Sequence, residues 1–275
     1  MKMRTAATFF VAALHCPAAR LSPPAERAFT TYITNLEERL AGQHAGRDLY
    51  LAVLNGDAAT RSDRERQLLS GGVRIEPVNG GTWEVSGGLM HHWRAATFVP
   101  GADAGQMLAL LRDPNHLSRY YAPEVVSSHT VTADGKRMSL IRFKKRKVVT
   151  VVLDAEFEGY NELTGDGRGY SFSRSTHIWQ VDEPGTANEH RRPEGDDDGY
   201  LWRLNSYWSF VETQTGLLIE CEAVSLTRKI PLGLGWLITP IIQTLPKESL
   251  QFTLQATKNA LMACARKETR DDPAN

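Results

Sequence analysis

Two consecutive period-two runs joined by a short polar turn constrain this chain more than any other feature. The first, Tyr200 to Val211, alternates Trp202, Leu204, Trp208 and Phe210 with Arg203, Asn205, Tyr207 and Ser209. Such alternation puts successive side chains on opposite faces of a β-strand. Glu212 to Gly216 supplies the turn and Leu217 to Leu226 the return strand, so the two read as an antiparallel hairpin. A four-residue loop puts Leu217, Ile219, Cys221 and Ala223 on the apolar face. The other face then sets Tyr207 near Glu222, with Arg203 one or two positions away.

The uncharged stretch from Ile230 to Leu245 follows, broken by Pro231, Gly233, Gly235 and Pro240. It is too short for a spanning helix, which needs roughly 20 apolar residues, and reads as a kinked gate. Pro246 suits a first helical position, and Leu250, Leu254, Thr257, Leu261 and Cys264 form one stripe of a long helix. Upstream, Met90 to Val99 alternates as a strand, and Ala102 to Tyr121 reads as one or two short helices interrupted at Asp113-Pro114-Asn115. Four more strands are expected, over Val125 to Val131, Arg137 to Phe143, Val148 to Tyr160 and Tyr170 to Val181.

With this order of elements, and with His92-Trp93-Arg94, Tyr120-Tyr121-Ala122-Pro123-Glu124-Val125, Gly199 to Phe210 and Glu220 to Leu250 as local tags, the chain resembles the START-like or Bet v 1-like superfamily. The resemblance spans about Gly88 to Lys267. It implies an α+β helix-grip fold, in which a curved antiparallel sheet wraps a long C-terminal helix and leaves a cavity between them. It also implies binding of sterols, lipids, polyketides or hormones, or, in a minority of members, cyclisation or dehydration of polyketides. No catalytic motif of those enzymes can be laid onto this chain. One fold hosts many activities, so the resemblance speaks to architecture more than to function.

The expected organisation is a signal peptide over 1–19, a helical N-terminal extension over 20–87, the helix-grip domain over 88–268 and a disordered tail over 269–275. Lys2 and Arg4 precede an apolar stretch, Thr5 to Cys16, and the small residues Ala18 and Ala19, the pattern of a secretory signal; the alternative is an N-terminal core helix. A secreted or periplasmic location follows from the first reading and a cytoplasmic one from the second. In the extension, Ser22-Pro23 caps a helix with Phe29, Tyr32, Ile33, Leu36 and Leu40 on one face, ending near Gly42. Asp48 to Asn79 reads as a further helix and loop, and Asp182 to Asp198 as a mobile acidic loop. Cys221 and Cys264 either bridge strand to helix or remain plain thiols.

Lys and Arg number 32 against 32 Asp and Glu, which gives no support for nucleic-acid binding. The basic run Lys144 to Lys147 is either a solvated hairpin tip or a contact for anionic headgroups. His91 and His92 are adjacent on a strand and point to opposite faces, so they do not share a metal; they and His177 read as structural histidines. No metal and no cofactor are expected. Ser171, Ser173 and Ser175 look like sheet filler.

The leading expectation is binding or transport of a hydrophobic, lipid or isoprenoid-like molecule. Trp202, Trp208, Phe210, Leu254 and Leu261 would wall the cavity, and Trp236 would sit in the gate and touch membrane. Arg203, Tyr207 and Glu222 would either meet the ligand's polar head or form an outer ladder facing solvent. A cyclase or aromatase and a ligand-free interaction module are the alternatives; the sequence leaves the oligomeric state open.

Overall fold

In a computed structural model the hairpin forms in the expected register, Tyr207 opposite Glu222 and Trp208 opposite Cys221. Its loop is shorter than expected, Gln214 and Thr215 alone, and the register is unchanged because Glu212 still lies opposite Leu217. Arg203 lies opposite Leu226, farther from Glu222 than the sequence suggests. The structure describes residues 19–46, 50–133, 135–147, 150–229 and 235–271, with backbone alone for 19, 133, 235–243 and 267–271.

The elements, in chain order, are β1 (Ala19–Arg20), α1 (Pro23–Ala45), α2 (Ala58–Leu69), β2 (Val73–Val85), β3 (Gly88–Pro100), α3 (Ala104–Leu111), α4 (Leu117–Tyr120), β4 (Val125–Ala133), β5 (Lys136–Arg146), β6 (Thr150–Leu163), β7 (Arg168–Asp182), β8 (His190–Arg191), β9 (Asp196–Asp197), β10 (Arg203–Thr213), β11 (Gly216–Thr227) and α5 (Gly235–Asp271). The main sheet is antiparallel throughout, in the order β2-β3-β11-β10-β7-β6-β5-β4. On one face, α5 sets Leu250, Leu254 and Leu261 against Ala95 and Val99 of β3. It also brings Phe252 and Ala256 to Ile141 of β5 and Leu153 of β6. One helix reaches strands near both ends of the sheet only if the sheet bends around it, and this is the helix-grip fold.

The opposite face is covered too. Ser22 accepts a hydrogen bond from the Ala25 amide at 3.3 Å and Pro23 opens α1, as the sequence predicts. Phe29, Ile33, Leu36 and Leu40 of α1 are buried against Met90, Trp202, Val224 and Leu226. Beyond the end of α1, Tyr50, Leu51 and Val53, with Leu68 of α2, cover Ala96, Phe98 and Leu218. The domain is therefore three layers, with both faces of β11 buried along almost its whole length.

Four expectations change. The stretch assigned to a helical extension contains β2, which pairs with β3 as an edge strand. Its alternation is interrupted where the register shifts between Pro77 and Thr82, around Asn79, Gly80 and Gly81 at positive φ, and an edge position tolerates the proline. α5 begins at Gly235 and not at Pro246, absorbing Pro240 and Pro246 at the loss of a main-chain hydrogen bond each. It also runs to Asp271, into the expected tail. The loop 182–198 is pinned, since β8 pairs with β7, β9 pairs with β1, and Asp197 accepts the Gly199 amide at 2.6 Å and the Trp202 indole at 3.1 Å. The signal segment, up to Ala18, lies outside the described residues.

Docking of α1 rests on its apolar stripe. Leu36→Ala is expected to cost about 2–5 kcal/mol, the range for a buried leucine truncated in a core. Urea denaturation with an unchanged m-value checks it; a loss below about 1 kcal/mol is inconsistent with a packed stripe.

Candidate functional site

Side-chain size varies from row to row across the concave face, and this divides the groove beneath α5. At the hairpin end Phe210 lies opposite Gly169 and Ile219. A Cβ on Gly169 would overlap the Phe210 ring, so glycine there is what lets the ring lie flat on the strand. With Met107 and Leu110 of α3 and Leu254 and Leu261 of α5, Phe210 fills that end completely. One row further, Trp208 lies opposite Ser171 and Cys221; the next row is Gly159, Ser173, Ser206 and Ala223, all small. A glycine and three small side chains in register across four strands cannot fill the space under the helix. What remains is a cavity of about 910 Å³ between the sheet, α4 and the first half of α5.

Apolar side chains dominate its walls, among them Leu117, Tyr121, Ile141, Phe143, Leu153 and Phe252. The Tyr121 hydroxyl is satisfied, donating to Thr257 Oγ1 at 2.8 Å, while Thr257 donates to the Thr253 carbonyl at 2.9 Å. His91 also lies on this wall. Its Nδ1 is 2.9 Å from Thr82 Oγ1 and its Nε2 is 2.9 Å from Thr227 Oγ1. Burial pulls the imidazole down to about 4, so at neutral pH one ring nitrogen donates and the other accepts. At the rim, Lys145 pairs with Glu124 and Lys147 with Glu248, tying the β5–β6 turn to the chain before β4 and to α5.

Only some residues picked out by alternation meet at this cavity. Trp208 lines it. Phe210, Leu254 and Leu261 sit in the filled core beside it, and Trp202 lies on the opposite face beneath α1. Arg203, Tyr207 and Glu222 face neither the cavity nor solvent, which corrects both readings of that cluster. Arg203 reaches Glu26 of α1 at 3.0 Å, and the Tyr207 hydroxyl donates to Glu37 at 2.8 Å. Glu222 accepts from Arg39 at 2.7 and 2.8 Å, lies 3.2 Å from Arg94 and accepts from His92 Nε2 at 2.8 Å, while His92 Nδ1 is 2.7 Å from the Tyr32 hydroxyl. His92, Arg94 and Arg39 together hold the Glu222 carboxyl well below the usual range despite its burial. Burial first, and then the Glu222 charge, push neighbouring Glu220 up to about 7. The Trp236 side chain lies outside the described residues. Cys221 and Cys264 are unbridged, the first buried and the second exposed, because only the Cys221 end of the pair faces the core.

Sequence reasoning missed the residues that make the space. Ser171 and Ser173 look like sheet filler by alternation alone, and Ser206 interrupts an otherwise bulky series. The readable signal was the small side chain at Ser206 within the large even positions of β10, matched by Ala223 across the hairpin.

No family model matches the chain, and no curated protein matches it in sequence. Similar solved structures include a STAR-related lipid transfer protein from Xanthomonas axonopodis, with 18% identity and TM-score 0.42 over 70% of this chain and 98% of that one. An aromatase/cyclase from a Streptomyces species has 10% identity and TM-score 0.42 over 68% and 99%. A START superfamily protein from Mycobacterium smegmatis has 11% identity and TM-score 0.40 over 64% and 98%. The fold assignment rests on strand order and on the placement of α5, not on these likenesses.

Two measurements test the electrostatics. Glu222→Gln leaves Arg39, Arg94 and His92 around a neutral amide and is expected to cost about 3–5 kcal/mol, read as a fall in urea midpoint. His91 and His44, both depressed to about 4 chiefly by burial, bind a proton more readily in the unfolded chain, where the ordinary value is 6.5. Each therefore lowers stability as pH falls from 6.5 towards 4 and contributes no slope above 6.5. Glu220, raised to about 7, acts in the opposite sense between 7 and its ordinary 4.5. The informative quantity is thus a difference: His91→Asn should lose less stability than the parent between pH 7 and about 5. Equal losses would remove the case for a neutral buried His91.

Proposed function

We propose that this protein binds a hydrophobic small molecule, lipid or isoprenoid-like, in the space between sheet and α5, and carries or sequesters it. The observation behind this reading is the cavity of about 910 Å³ with mainly apolar walls. Its volume is within the roughly 300–1,000 Å³ typical of small-molecule pockets. An interaction module with a solid core would have no use for the row of small side chains that keeps the space open.

A cyclase-like activity needs a titrating group free to exchange a proton with the ligand. His91 is the imidazole on the wall, and both of its nitrogens are engaged by threonine hydroxyls. That arrangement favours carriage over proton transfer. Lys144, Arg146 and Lys147 are exposed on the rim turn, the last paired with Glu248; anionic headgroups would attract such groups at about 1 kcal/mol each, a suitable setting for transient membrane contact during loading. If the apolar N-terminal stretch is a secretory signal, loading would take place in the periplasm or outside the cell.

Ala223→Trp, which puts an indole into the small row, tests the reading. Purified parent protein should take up N-phenyl-1-naphthylamine and yield lipid on extraction, and the variant should bind the probe at least about 10-fold more weakly with an unchanged circular dichroism spectrum. A parent protein that binds no apolar probe and yields no extractable lipid would overturn the proposal.

A further inference from the structure

The cavity floor carries a band of hydroxyls. Ser171, Ser173, Ser206 and Ser225 all line the space, contributed by β7, β10 and β11. Ser173 lies opposite Ser206, and Ser225 lies opposite His91. Ser171 is 6% exposed and Ser225 8% exposed. Neither hydroxyl bonds any described residue. Ser175, by contrast, accepts the Leu204 amide at 2.9 Å. Ser173 and Ser206 are half-buried beside them, and all four open onto the same mainly apolar space. A ligand that displaces water from this band leaves each hydroxyl to pair with it or go unpaired, at about 1–3 kcal/mol for a hydroxyl left buried without a partner.

The charge distribution narrows the class. Every ionisable cavity-lining Asp, Glu, Lys or Arg is at least partly exposed, and His91 is held neutral with both nitrogens taken. An ionised ligand group beside the serines would have no buried counter-charge and would lose several kcal/mol of solvation. A neutral oxygen loses far less and can pair with a hydroxyl as donor or acceptor.

Resting on the ligand-binding reading above, we propose that the ligand is a neutral, oxygen-bearing apolar molecule. Its alcohol, ketone or ester oxygen sits within the carbon skeleton and pairs with the Ser171–Ser225 band. A free carboxylate or amine would be accommodated at the rim and not at the floor.

Displacement of N-phenyl-1-naphthylamine from the full protein separates the possibilities, with tetradecane, its mid-chain ketone, its mid-chain secondary alcohol and tetradecanoate as competitors. The ketone and alcohol should compete at concentrations about 10-fold lower than the alkane, the equivalent of one or two hydrogen bonds. In S171A/S225A, with competition referred to the variant's own probe affinity, the preference for ketone and alcohol over alkane should fall to within about 3-fold. Equal competition by alkane and ketone in the parent, strongest competition by tetradecanoate, or a preference surviving in S171A/S225A would each overturn this inference and leave apolar binding intact. Failure of the parent to bind the probe or any competitor would overturn both.

Discussion

A strand buried on both faces must find a partner for every polar side chain it carries, and β11 is such a strand. Its inward-facing residues against α1 include Glu220 and Glu222, each about 1% exposed. Neither could be tolerated unpaired, since an isolated buried carboxylate costs several kcal/mol. Arg39 comes from α1, Arg94 and His92 from β3, and the amides of Ala52 and Val53 from the 3-10 turn between α1 and α2. The charges therefore specify which helix lies on this face and at what height, while the apolar stripe of α1 supplies most of the favourable burial.

With α1 fixed there, the other face alone is left to curve around α5. Its chemistry is set by volume. Phe210 over Gly169 closes the hairpin end. The row Gly159, Ser173, Ser206 and Ala223 leaves the space next to it unfilled. The same helix serves both halves, Leu254 and Leu261 packing the solid end and Leu250, Phe252 and Thr253 roofing the open one. Stability and ligand capacity are thus separated along one groove, and a substitution in one half need not disturb the other.

Much of this was legible in the residues. The β10–β11 register followed from alternation on either side of a turn centred between Gln214 and Thr215, although that turn is two residues and not four, and the opposed directions of His91 and His92 followed from their adjacency on one strand. Other features were hidden because a long-range contact overrides the local signal. In β2 the pattern is broken by Pro77 and by Asn79-Gly80-Gly81, which are tolerable only at an edge beside β3. In α5 the prolines suggested a late start, yet the helix continues through them from Gly235. The acidic loop 182–198 gave no hint that Asp197 would be buried against Gly199 and Trp202.

By itself the sequence determined the α+β composition, the hairpin register and the division of each strand into two faces, because these depend only on side-chain period and turn chemistry. It could not decide which face is concave. Both faces of β10 and β11 mix apolar and polar groups, and the choice depends on where α1 and α5 dock. α1 lies more than 150 residues before the hairpin and α5 follows it closely, yet neither position says which face each helix covers, so only the tertiary structure turned the apparent ligand contacts Arg203, Tyr207 and Glu222 into a clamp for α1 and the apparent filler, the serines, into a cavity floor.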